Sequence, residues 1–113
     1  MSQNVGVGTL APQARLHVIA PGNYVAPLLK VEINGSTSPH LIVLPDGKVG
    51  IGVSNPSEAL DVSGNVQFTG ALMPGGDAGT SGFVLMSQGA GNPPVWMDTA
   101  LLKDDWGSQV AVT

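Results

Sequence analysis

Cysteine is absent from the 113 residues, which excludes a disulfide scaffold, thiol catalysis and thiolate metal sites, and leaves the redox compartment open. Charge is scarce: 11% of residues are charged, four basic and eight acidic, for a net charge of −4. That balance removes the basic footprint that nucleic-acid binding requires and a polybasic hold on a membrane surface. Aromatics make up only 4%, so few large side chains exist to fill a core. No run approaches the roughly 18 apolar residues of a membrane span. Met1-Ser2-Gln3-Asn4 shows neither a basic region nor an apolar stretch, so no signal peptide is visible.

What is abundant is glycine, proline and small aliphatics. Sixteen glycines and nine prolines form 22% of the chain, against an average of about 12%, which argues against long helices. A hydrophobic share of 42% is too high for an ordinary disordered segment. A chain of this size buries a modest fraction of its surface alone. Few large residues and many small ones therefore point to a core shared between chains.

The chain repeats itself. Val5-Gly6-Val7-Gly8-Thr9-Leu10-Ala11-Pro12-Gln13-Ala14-Arg15-Leu16-His17-Val18 aligns without gaps on Val49-Gly50-Ile51-Gly52-Val53-Ser54-Asn55-Pro56-Ser57-Glu58-Ala59-Leu60-Asp61-Val62, each pair 44 residues apart. Six of the fourteen positions are identical, and such self-similarity identifies repeat architectures. Val5, Gly6, Gly8, Pro12, Leu16 and Val18, with Val49, Gly50, Gly52, Pro56, Leu60 and Val62, are the structural residues of the repeat. In Val-Gly-Val-Gly and Val-Gly-Ile-Gly an aliphatic alternates with a residue lacking Cβ, so each predicts a short strand with one apolar and one bare face. Something must lie close against the bare face. Pro12 and Pro56 then interrupt any ladder and turn the chain, and Leu16-His17-Val18 and Leu60-Asp61-Val62 alternate again. Each unit reads as strand, corner, strand.

Between the units, Leu28 to Ile33 alternates with Leu29, Val31 and Ile33 inward and Lys30 and Glu32 outward, and Asn34-Gly35 supplies a hairpin signal. Leu41 to Leu44 is a continuous apolar run expected to be buried on both sides, and Asp46-Gly47 turns the chain into Lys48-Val49. Val66 to Thr69 alternates once more after Gly64-Asn65. Helical periodicity is absent until a short, weak window at Thr99 to Trp106. Four segments follow: 1–48 with the first repeat, 49–69 with the second, 70–97 as a Gly- and Pro-rich extended segment and β-strap, and 98–113 as a C-terminal segment. That last segment ends on the alternating Val110-Ala111-Val112-Thr113, as expected of a truncated chain.

Val49-Gly50-Ile51-Gly52, Asn55-Pro56, Leu60-Asp61-Val62 and Gly64-Asn65-Val66 resemble the VGIGT-x-NP-x-x-x-LDVxGN unit of bacterial and phage fibre proteins. These include tail-fibre-like proteins, often with a C-terminal intramolecular chaperone, and the mosaic trimeric adhesive fibres of predatory bacteria. Gly79-Thr80-Ser81-Gly82-Phe83-Val84-Leu85 through Gly89 and Pro93-Pro94-Val95-Trp96 resembles the GTxGxVLxSxGxGxxPxW segment that often follows. The similar stretches cover roughly half the chain. The first unit departs from the pattern, with Leu10-Ala11 before Pro12 and His17 in place of the Asp. The resemblance implies an all-β, elongated, intertwined homotrimeric fibre, a β-prism or triangular β-helix-like shaft built from short strands. It further implies an extracellular, cell-surface or virion-tail location, and a glycan or receptor bound through a tip outside or at the end of this chain. Small residues around a threefold axis agree with the composition, each unit burying its face only with its partners.

The sharper motifs do not hold. Gly6-x-Gly8 and Gly50-x-Gly52 lack the third glycine of a dinucleotide loop, and a proline follows. Gly47-Lys48 is followed by Val49, so it is no Walker motif. His40, beside an apolar run, is a better candidate than His17 for three imidazoles converging on a threefold axis, but no H-x-H pair or acidic cluster accompanies either, and no metal or other cofactor is expected. No G-x-S-x-G elbow and no facing carboxylate pair occur, so the chain is not expected to be an enzyme. Asp104-Asp105 reads as a solvated turn, and Asn34-Gly35-Ser36 matches a glycosylation sequon but fits a turn better. Tyr24, Trp96 and Trp106 serve ligand stacking or inter-chain packing. The expected function is a shaft segment presenting a receptor-binding tip. The alternative is a small monomeric β-domain that binds carbohydrate or a protein partner through Gly70 to Trp96.

Overall fold

A computed structural model describes residues 3–101, which form short β-strands and two single-turn 3-10 segments without an α-helix. The chain divides into two compact units, Met1–Val66 and Gln67–Thr113. The first contains six strands: β1 (Val5–Val7), β2 (Leu16–Val18), β3 (Leu29–Val31), β4 (Leu41–Val43), β5 (Val49–Ile51) and β6 (Leu60–Val62). β1 and β2 form a parallel pair, and the other four form one sheet in the order β3-β4-β5-β6, antiparallel except for its last, parallel pair.

Both repeats adopt the same local structure. Val5 lies opposite Leu16 and Val49 opposite Leu60, in identical parallel registers. The flanking bonds match as well: the Val5 and Val49 N–H groups donate to the Arg15 and Ala59 carbonyls at 2.7 and 2.9 Å. Those of Ile19 and Ser63 donate to the Val7 and Ile51 carbonyls at 2.9 and 3.0 Å. Parallel neighbours are usually joined by a dozen or more residues, whereas here Gly8–Arg15 and Gly52–Ala59 suffice. The reversal begins at glycines held at positive φ, Gly8 at 80° and Gly52 at 72°, a region costly for any residue with a Cβ.

The bare face of each strand is where its own connection folds back. A Cβ on Gly6 would lie 2.5 Å from the Thr9 carbonyl oxygen, and one on Gly50 would lie 2.6 Å from that of Val53 and 3.4 Å from the Pro56 ring. Glycine is therefore required by close approach of backbone to backbone. In the four-stranded sheet the same face carries Ile42, whose Cγ2 would stand 3.0 Å from that Cβ. Ile42 is 3% exposed and is the one large hydrophobic side chain buried among the described residues. Pro39, Gly50 and Pro56 are buried with it.

Several elements are shorter than the alternation predicts. β3 ends at Val31, and the Asn34-Gly35 signal forms a turn closed by the Ser36 N–H and the Ile33 carbonyl at 2.9 Å, inside a longer connection rather than as a two-residue hairpin loop. Leu41 and Val43, on the other face from Ile42, are only half-buried. Val66 to Thr69 forms no strand, because no segment among the described residues pairs with it. The tight link before β5 is as expected: Gly47 takes φ 93°, its N–H donates to the Leu44 carbonyl at 3.0 Å, and Asp46 Oδ1 accepts from the Lys48 N–H at 3.2 Å. β4 and β5 thus pair across the 48/49 boundary.

The second unit is built on an antiparallel hairpin of β7 (Val84–Met86) and β8 (Val95–Met97). Pro93-Pro94-Val95-Trp96-Met97, read as a strap, contributes all of β8. Of the Thr99 to Trp106 window, Thr99–Leu101 forms a single 3-10 turn. Trp106, the acidic pair and the rest of 102–113 lie outside the described residues.

Candidate functional site

Residues opposite one another in a ladder direct their side chains to the same face. The registers of the four-stranded sheet therefore place Leu29, Val31, Leu41, Val43, Val49, Ile51, Leu60 and Val62 together, with Lys30, Ile42, Gly50 and Asp61 on the other face. Within the first unit this eight-residue aliphatic face is incompletely covered: Leu29, Val31, Ile51 and Leu60 are exposed and the other four half-buried. The β1–β2 pair repeats the arrangement with Val5, Val7, Leu16 and Val18. In a self-sufficient sheet the aliphatic side lies against a core and the polar side faces water. Here the connections and Ile42 fill one side, and the more apolar side is open.

On the packed side, Asp61 and His17 tie the corners shut. Asp61 Oδ2 accepts from the Ser57 N–H at 3.1 Å, and His17 Nδ1 accepts from the Gln13 N–H at the same 3.1 Å. Ser57 and Gln13 are themselves 44 residues apart. The histidine thus takes over the aspartate's acceptor role, which a neutral imidazole protonated on Nε2 can do.

Tyr24 is exposed and borders a cleft of about 250 Å³ lined by Val18, Ile19, Pro21, Pro27 and Leu28 among others, which contains no charged group. Trp96 is half-buried. Its Nε1–H donates to the Asp77 carbonyl at 2.8 Å, and a Cβ on Gly79 would stand 2.8 Å from the indole ring. One face and the polar edge of the indole are therefore already engaged in fixing the 77–79 loop. That loop is further closed by the Gly79 N–H donating to Asp77 Oδ1 at 2.8 Å.

His40 is exposed at the entry to β4, its N–H donating to the Val31 carbonyl at 2.7 Å and its carbonyl accepting from Gly52 at 3.3 Å. Among the described residues no three His, Cys, Asp or Glu side chains gather as metal ligands, and no helix is long and apolar enough to cross a membrane. The ion pairs Lys30–Glu32 at 3.3 Å and Lys48–Asp46 at 3.5 Å are surface contacts of small energetic weight. The sequence shows the glycines and prolines of the corners but not the joining of two half-repeats and a hairpin into one aliphatic face, which depends on strand direction. Comparison with protein-family models, with curated proteins and with solved structures found no match.

Proposed function

We propose that this chain is a shaft segment of a homotrimeric fibre of the tail-fibre-like or adhesive type, which spaces and presents a receptor-binding tip for attachment to a host or prey surface. The observation that carries this reading is the open aliphatic face of the β3–β6 sheet. Three copies that turn this face toward a common axis would each bury eight half-exposed to exposed side chains. The gross gain is on the order of 10 kcal/mol per chain, before the cost of association. The low charge supports the same reading, as does a core that has Ile42 as its one large hydrophobic side chain among the described residues. A monomeric glycan-binding domain built on Trp96 has less support, because that indole already spends its N–H and one face on its own loop.

Light scattering on the purified chain is the test. The expected mass is three times 11.4 kDa. A folded species at 11.4 kDa over the whole accessible concentration range overturns the proposal.

A further inference from the structure

The two repeats share the backbone bonds that flank their parallel pairs and the bond from the amide of Gln13 or Ser57, but they differ at one edge. Val49 and Ile51 direct their backbone groups to β6, so the alternation of a strand turns the Gly50 N–H and C=O to the opposite edge. There they meet β4: Ile42 lies opposite Gly50, and the Gly52 N–H donates to the His40 carbonyl at 3.3 Å. In β1, Val5 and Val7 likewise serve β2. The Gly6 N–H and C=O and the Gly8 N–H face outward, and no strand among the described residues pairs with that edge. The difference shows in exposure: Gly50 and Pro56 are buried, whereas Gly6 is exposed and Pro12 half-buried.

We propose that the free edge of β1 is a strand-accepting site. It takes an extended, uncharged aliphatic segment antiparallel to β1, with a β-branched residue opposite Gly6, the chemistry that Leu41-Ile42-Val43 supplies to the second repeat. Two observations favour this occupant. The second repeat displays the same edge filled by such a segment, with the Ile42 methyl group seated over Gly50. Moreover, β1 lacks the charged residue carried by both open edges of the four-stranded sheet: β3 has Lys30 and β6 Asp61, while β1 is Val-Gly-Val. In its unfilled state the spot over Gly6 holds the Thr9 methyl group, which would lie 3.1 Å from a Cβ there. The incoming aliphatic displaces it. Main-chain bonds then give affinity and the glycine-lined position gives selectivity, as in strand addition generally.

The proposal does not rest on the trimeric reading, and its test is separate. A synthetic peptide with the sequence of residues 39–46, flanked by lysines for solubility, is added to the ¹⁵N-labelled full chain, and amide hydrogen exchange is followed. Exchange at Gly6 and Gly8 is expected to slow about tenfold or more at saturation, with Gly50 unchanged. The same peptide with its isoleucine replaced by proline, which lacks the ladder donor, is expected to give no protection. Equal protection by the proline peptide, or protection confined to the edges of β3 or β6, overturns the proposal. So does protection of Gly6 and Gly8 without peptide, whether it grows with chain concentration, which would make a second copy the occupant, or is already complete at every concentration.

Discussion

At the scale of single residues, the exchange of aspartate for histidine between the repeats is explained by geometry: both side chains offer an acceptor to the amide four residues earlier. The neutral His17 ring is therefore expected to carry its proton on Nε2, which ¹⁵N shifts of the imidazole will report. His17→Asp should keep the Gln13 amide protected, and His17→Ala should lose that protection with a stability cost of about 0.5–1.5 kcal/mol, the net worth of one hydrogen bond, read by urea denaturation. A second residue-scale prediction concerns Gly79. It has φ 79°, and a Cβ there would meet the Trp96 ring. Gly79→Ala should therefore destabilise the second unit by about 1–3 kcal/mol and hasten exchange of the Trp96 indole proton. Gly22→Ala is the control, because nothing lies within 4 Å of its Cβ position; it should be neutral or slightly stabilising.

At the scale of elements, the sheet is organised around Ile42, the only large hydrophobic side chain buried among the described residues. Ile42→Ala removes the contact over Gly50 and should cost about 2–4 kcal/mol, the range for a buried aliphatic, measured as a fall in the denaturation midpoint. Leu10→Ala, at a position 105% exposed, should change it little. Much at this scale was legible in the sequence. The spacing of Gly6, Gly8 and Pro12 and of Gly50, Gly52 and Pro56 identified both corners, because a residue without a Cβ announces close approach. Asp46-Gly47 likewise located the turn between β4 and β5. Strand direction was not legible: the connections from Val7 to Leu16 and from Ile51 to Leu60 are short enough to suggest antiparallel return, and only the positive-φ glycines make the parallel path possible. Nor could alternation alone decide whether Val66 to Thr69 finds a partner, since pairing depends on what lies beside a strand.

At the scale of the whole molecule, the question is what covers the aliphatic face of the first unit, and substitution on that face distinguishes association from an isolated fold. Ile51 and Leu60 belong to the face, are exposed, and come from the two parallel strands of the second repeat. Neither contributes to the packed side held by Ile42, Gly50 and Pro56. A lysine at either position places a charge where three copies are proposed to meet, and a buried unpaired ammonium costs several kcal/mol. The penalty recurs in every chain and takes up much of the burial gain per chain estimated above, which must also cover the cost of association. Ile51→Lys and Leu60→Lys should therefore lower the mass from three times 11.4 kDa to 11.4 kDa. Leu10→Lys, equally apolar to charged but off the sheet, should leave the trimer intact. Loss of β structure with the trimer, seen by circular dichroism, would mean that the fold exists only in the assembly. Monomers that keep the Gly50 amide protected would mean that the corners fold first and associate afterwards. Retention of the trimer by both lysine variants would show that the chains meet elsewhere and that this face looks toward a different partner.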